Sequence, residues 1–364
     1  MIKVVGDRSI IEIIAIFTVV LLAGMLVSIA AVKTSSISII YNTLSNPRFA
    51  DLSYVIDATL VLIVSLLILR RHTHHSNTML FEALEAIVIS FTSFFFFLLV
   101  FATLMPQCVA SGYIYVYSAV LALMLVLLKD RYHRLRDLAT MVSSIGVGLI
   151  LGLNFAFGWA MLILALVAVY DYVGVFKSDE MITLAKAVST NDLSFLLSVS
   201  DLEAVPKWGL NEKEIEDYMN YLANVHELDD PRFKKILQKG ELPVISQISL
   251  GEGDLSLPLM AAVSAYFTLG PLMGMVVALG AIVGAIATML ILREYKHPIP
   301  AVPPLFAFIG IFAGTALIFT KAPDWYYFGA LLIVASAVTM LIDILTITRR
   351  MHGNRVRKQA AAPA

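Results

Sequence analysis

The sequence predicts an all-α polytopic membrane protein, a helical bundle of nine or ten transmembrane helices. Hydrophobic residues make up 59% of the 364-residue chain and charged residues only 15%, against roughly 25% charged in soluble domains. So much apolar surface cannot be hidden in a soluble fold, so lipid must solvate a large part of it. The apolar residues are also gathered into runs close to the ~20 residues that cross a ~30 Å hydrocarbon core. These runs lack the period-2 alternation of a membrane β-barrel, so each is expected to be helical.

Ten runs qualify, at 10–32, 53–70, 81–105, 112–128, 138–155, 157–176, 244–268, 270–292, 301–319 and 325–347. The first follows Met1, Lys3 and Arg8 in the manner of a signal peptide, but its apolar stretch is too long for one and reads as a retained span. The fifth and sixth runs are separated only by the Asn154–Gly158 break. A net charge of −1 argues against a nucleic-acid partner. Cys108 is the single cysteine and can form no internal disulfide.

Basic residues set the expected orientation. Arg70-Arg71, Lys129 to Arg136, Arg293/Lys296 and Arg349-Arg350 onward fall on one side when ten spans alternate. That side is therefore read as cytoplasmic, with both termini inside; Lys33, Arg48 and Lys321 are the minority outside. Trp325, Tyr326 and Tyr327 open the last span where aromatic side chains favour the outer interface.

The domain organisation follows. Residues 1–156 carry the N-terminal spans and 157–176 the sixth. Residues 177–242 form a polar connector with 13 acidic and 8 basic residues between Lys177 and Leu242. Residues 243–348 carry the C-terminal spans, and 349–364 a basic cytoplasmic tail. Inside the connector, Asn211 with Glu214 and Asp230-Pro231 are helix-start signals.

Two carboxylates stand out at membrane depth, where a charge costs roughly 2.5–3.5 kcal/mol on insertion scales. Asp171 follows Tyr170 near the inner end of the sixth run, and Asp254 closes Gly251-Glu252-Gly253-Asp254 in the seventh. The alternation brings both to the same membrane side at overlapping depths, so they can meet. Gly251 and Gly253 remove bulk before Asp254, allowing close helix approach or a loosened backbone. Two carboxylates sharing a site do not readily both ionise. One then takes a proton from water while the other protonates the oxyanion of an attacked peptide carbonyl, chemistry that calls for neither metal nor cofactor.

Tyr170-Asp171, Gly251-Glu252-Gly253-Asp254, then Pro300-Ala301-Val302-Pro303 opening the ninth run resemble the ordered signature of presenilins and signal peptide peptidases. Val175-Phe176-Lys177 and Pro258 are similar to that family's flanks. The resemblance implies a presenilin-like bundle and a GxGD-type intramembrane aspartic endopeptidase that cleaves transmembrane helices of protein substrates in the bilayer. It implies Asp171 and Asp254 as the catalytic pair. It also implies that Tyr170, Gly251, Gly253, Pro300, Ala301, Val302 and Pro303 shape the site or bind substrate. The inside location of the connector resembles presenilin rather than the inverted signal peptide peptidase arrangement. Extended backbone beside Pro300 and Pro303 could offer carbonyls to a substrate strand.

Three features depart from the family pattern. Glu252 stands where an apolar residue is usual and reads as a solvated structural group more than a catalytic one. Val302 replaces leucine, and the run at 325–347 adds a tenth span to the usual nine. A multi-span transporter or cation leak channel using the same carboxylates is the alternative from another class. Prepilin-type peptidases share Gly-x-Gly-Asp but lack the Pro-Ala-Leu segment.

Other residues read as structural. His72, His74 and His75 belong to a basic juxtamembrane loop rather than a metal site. Glu12, Asp57, Glu82, Glu85 and Asp343 lie near helix ends, where they can reach headgroup water. Gly270/Gly274 and Gly280/Gly284 are spaced for close packing of the eighth span. The absence of an Asn-x-Ser/Thr sequon fits a prokaryotic cell membrane.

Overall fold

Apolar runs that must satisfy their own backbone in lipid fold as helices, and nine helices form among the described residues. The computed structural model describes residues 7–33, 78–105, 111–129, 131–176, 196–206, 236, 239, 241–295, 299–320 and 323–360. The helices are α1 (Asp7–Lys33), α2 (Thr78–Leu104), α3 (Ser111–Lys129), α4 (His133–Asn154), α5 (Phe157–Phe176), α6 (Glu252–Leu269), α7 (Pro271–Tyr295), α8 (Val302–Phe319) and α9 (Pro323–Ala360). The expected second span, the histidine loop, Cys108 and the two connector helix starts lie outside the described residues.

Eight of the nine helices are long and apolar enough to cross a membrane. The exception is α6, and its position explains its composition. Every residue from Leu255 to Ala265 is buried. A helix wrapped by protein does not have to match lipid, so it tolerates Glu252, Asp254 and Pro258. Pro258 has no N–H to give to the Asp254 carbonyl, which loosens the first turns of α6.

Glycines let the neighbours of α6 approach. A Cβ added to Gly148 of α4 would lie 2.8 Å from a Leu259 methyl, and one on Gly152 would lie 2.9 Å from the Met260 carbonyl. On α7, Gly274 packs on Tyr266 of α6, whereas Gly280 and Gly284 pack on Ile309 and Leu305 of α8. The spacing expected to pack this span does so at these three positions. Gly270 serves a different purpose, because its φ of 101° makes the turn between α6 and α7, a conformation that favours glycine. Gly310, Gly314 and Gly329 bring α8 and α9 together in the same close manner.

One of the expected spans needs correction. The run at 244–268 is not helical throughout. Its first part is strand β2 (Glu241–Gly251), paired antiparallel with β1 (Leu196–Pro206) from Leu196↔Gly251 to Pro206↔Glu241. Its Ile, Val and Leu residues satisfy a strand as well as a helix, and β1 supplies the ladder partner. The stretch after Thr348 continues the helix, with α9 running through Ala360. The break near Asn154–Gly158 is real, because Phe155 turns extended (φ −104°, ψ 133°) between α4 and α5. The tenth run is a helix as well, spanning Trp325–Arg350 within α9.

Asp7 at the start of α1 meets Arg293 at the end of α7 at 3.0 Å, so these two helix ends share one side of the bundle. The expected headgroup position of Glu85 is not found. It is buried, 1% exposed, and pairs with Lys129 of α3 at 2.9 Å. Asp343 is buried too, at 5% exposed. Glu12 pairs with Arg8 on the surface at 3.0 Å.

Candidate active site

Helix α6 begins where β2 ends, and Gly251 is the hinge between them. Its N–H would be left without an intrahelical partner at a helix start. Asp254, three residues on, folds back to accept it through Oδ2 at 3.1 Å. This is the returning half of a capping box, with aspartate in the usual Glu/Gln position. A Cβ on Gly251 would lie 3.2 Å from that same oxygen, so glycine here makes room for the carboxylate. Gly253 differs: a Cβ there would meet nothing within 4 Å. It leaves open space beside the acid rather than allowing helix approach.

Asp171 is held by another helix end. Ala301 is already helical (φ −89°, ψ −35°) as the N-cap of α8, and the next three residues are Val302, Pro303 and Pro304. The two prolines carry no N–H, so their missing donors coincide with helix positions that would lack acceptors. The N–H of Val302 remains, and it donates to Asp171 Oδ2 at 3.1 Å. The backbone of Ala301 also hydrogen-bonds this carboxylate. The positive end of the α8 dipole thus faces an acid on α5. In this segment it is the Val302 N–H that is used, as a donor to Asp171.

The two carboxylates are close enough for direct charge–charge interaction. The three sequence motifs, far apart in the chain, therefore converge at one end of α5, α6 and α8. Pro300, Val302 and Pro303 are buried, and Ala301 is half-buried. Tyr170 stands apart on the outer side of α5, 37% exposed. No group of three or more His, Cys, Asp or Glu side chains arranged to hold a metal ion occurs among the described residues.

Glu252 is half-buried and bonded to a facing helix. Its Oε1 accepts a hydrogen bond from Ser143 Oγ of α4, and Ser143 Oγ lies 2.7 Å from Thr92 Oγ1 of α2. The departure from an apolar residue is matched by hydroxyls on the facing helices. Ser143 and Thr92 carry no signal in the sequence, because buried hydroxyls in apolar helices usually bond their own preceding turn. Thr92 does so as well, reaching the Val88 carbonyl at 2.8 Å.

The sequence model of the signal-peptide peptidase, presenilin aspartyl protease family matches residues 14–322. No curated protein matches the sequence. Among solved structures, a presenilin family intramembrane aspartate protease is 17% identical over 82% of this chain and 94% of that chain, with a TM-score of 0.47. The family match runs from α1 to the end of α8 and takes in both carboxylates and the segment that holds one of them. The chain therefore belongs to the signal-peptide peptidase, presenilin aspartyl protease family, as a multi-pass intramembrane aspartyl protease acting on transmembrane substrates.

Proposed function

We propose that the protein is a GxGD-type endopeptidase in which Asp171 and Asp254 jointly activate water against a peptide bond of a transmembrane helix. The observation that supports this reading is that each acid accepts a backbone N–H at the start of a helix: Val302 for Asp171 and Gly251 for Asp254. One carboxylate removes a proton from water, and the resulting hydroxide adds to the scissile carbonyl carbon. The other carboxyl gives its proton to the carbonyl oxygen as charge develops there. Collapse of the gem-diol breaks the C–N bond: the proton held by the first acid goes to the leaving amine, and a gem-diol hydroxyl returns its proton to the second carboxylate.

A helical substrate hides its carbonyls in the i→i+4 ladder, so the cleaved stretch has to unwind. Strand β2 offers a place for unwound chain. Among the described residues only β1 pairs with it, and its other edge ends at Gly251, three residues from Asp254. Backbone pairing along that edge would carry a carbonyl towards the two acids. The open space beside Gly253 lies at the same point.

The orientation follows from the basic residues: the active-site end, both termini and the 177–242 connector face the cytoplasm, in a prokaryotic cell membrane. The shared side of Asp7 and Arg293 supports the relative part of this reading.

Reconstitution into liposomes with a labelled single-span substrate separates protease from transporter. The proteolytic reading expects two products with one defined cleavage position by mass spectrometry, abolished by Asp254→Ala. Carboxylate-dependent ion flux without any cleavage would contradict it.

A further inference from the structure

The last helix lies outside the family match, which ends at residue 322, one residue before α9 begins. Yet α9 touches the helix that carries Asp171 at two points. The Tyr172 hydroxyl lies 2.7 Å from Thr346 Oγ1. Thr346 gives its own proton to the Ile342 carbonyl at 2.8 Å, so the tyrosine is the donor. One turn further, the Arg350 guanidinium donates to the Phe176 carbonyl and lies 4.9 Å from the centre of the Phe176 ring. Both contacts join residues 174 apart in sequence. A constant offset means that α5 and α9 run parallel and in register over this stretch.

Asp343 is one turn before Thr346 on the same face of α9, and the constant offset sets it level with Val169, two residues or about 3 Å along the axis from Asp171. It is 5% exposed, and neither carboxylate oxygen has a hydrogen-bond partner among the described residues. Buried carboxylates are ordinarily paired or hydrogen-bonded, because desolvation is costly. The charged group it interacts with is Asp171. The titratable groups at the contacts between α5 and α9 are Tyr172, engaged with Thr346, and Arg350, engaged with Phe176. Helix α8, the main packing partner of α9, contributes no charged side chain between Val302 and Phe319. Asp171 therefore interacts with two acids, Asp254 on α6 and Asp343 on α9.

We propose that Asp343 is a positioning residue for peptide cleavage, a third carboxylate that acts through Asp171 on the proton the Asp171–Asp254 pair must hold. This rests on the aspartyl-pair reading above. Helix α9 delivers the group, and the Tyr172–Thr346 and Arg350–Phe176 contacts set its height. The arrangement explains why a charge is kept in an apolar helix that the family pattern does not require. A buried acid beside a reacting acid is a common way to bias proton sharing.

The test uses the full-length protein in bilayers with one labelled single-span substrate, and compares wild type with Asp343→Asn, Asp343→Glu, Asp171→Asn and Asp254→Asn. Asp343→Asn preserves shape and removes the charge. The expected result is a kcat changed at least fivefold with KM within twofold, and a pH–rate profile moved by half a unit or more on one limb. Asp343→Glu, which restores the carboxyl, returns the profile towards wild type. A wild-type profile and kcat in Asp343→Asn overturns the proposal. So does a loss shared equally by Asn and Glu and matched by a fall in thermal stability, the signature of packing alone. Substantial cleavage by Asp171→Asn or Asp254→Asn would overturn the aspartyl pair itself, whatever Asp343 does.

Discussion

The Val302 N–H donates to Asp171 Oδ2 at 3.1 Å, so the N-terminus of α8 holds an acid that belongs to α5. The Pro303-Pro304 pair that follows removes two competing donors, which leaves this N–H as the directed one. The Pro-Ala-Val-Pro segment is in this sense a device for aiming backbone hydrogen at a carboxylate.

The first prediction concerns that donor. Val302→Pro deletes the N–H, whereas Val302→Leu keeps it. A hydrogen bond to a charged group contributes about 1.5–3 kcal/mol, so kcat/KM should fall on the order of ten- to a hundredfold in the proline variant. The leucine variant should stay within a few-fold of wild type. Steady-state cleavage of one substrate by both variants checks this.

The two glycines before Asp254 should respond differently. Gly251→Ala sets a methyl 3.2 Å from the Asp254 oxygen, displacing the carboxylate and lowering kcat by tenfold or more. Gly253→Ala meets no protein atom within 4 Å. Its thermal stability should therefore equal wild type, and any cost should appear in KM as the methyl intrudes on the substrate's space. Unfolding in detergent together with kinetics separates the two.

Stability should depend strongly on the buried Glu85–Lys129 pair, 2.9 Å apart. Lys129→Ala removes a buried cation from beside the Glu85 carboxylate and should destabilise by about 3–5 kcal/mol. Glu85→Leu combined with Lys129→Leu removes both charges and should recover most of that loss. Thermal or denaturant unfolding of the single and double variants decides it.

The α7–α8 contact offers a packing test. A Cβ on Gly280 would lie 3.0 Å from Phe312 Cβ and 3.1 Å from Ile309 Cα, so Gly280→Val must push the helices apart. Overpacking of this kind costs about 1–3 kcal/mol. Because α8 also carries Val302, cleavage should fall along with the melting temperature.

Much of this architecture is legible in the apolar runs, because a helix in lipid leaves a long unbroken signature. Those runs anticipate α1 and α3 to α5 within a few residues, and the break between α4 and α5 is visible at Asn154–Gly158. Strand β2 is not visible, because Val244 to Leu250 is apolar enough to extend the following span and its partner β1 lies within the polar connector. The carboxylates Asp171 and Asp254 stand out because charge at membrane depth is costly. Glu252 and Asp343 stand out for the same reason but read as facing water. Sequence position alone does not tell which side of a helix faces protein: Ser143 answers Glu252, and Asp343 is 5% exposed.

The central claim is that Asp171 and Asp254 act as one catalytic unit. Single-turnover cleavage of a labelled single-span substrate by wild type, Asp171→Ala, Asp254→Ala and the double variant tests it most directly. The account predicts that each single variant loses at least a thousandfold and that the double variant loses no more than either, with all four folded to the same melting temperature within a few degrees. Cleavage by either single variant within tenfold of wild type, at the same peptide bond, would contradict it.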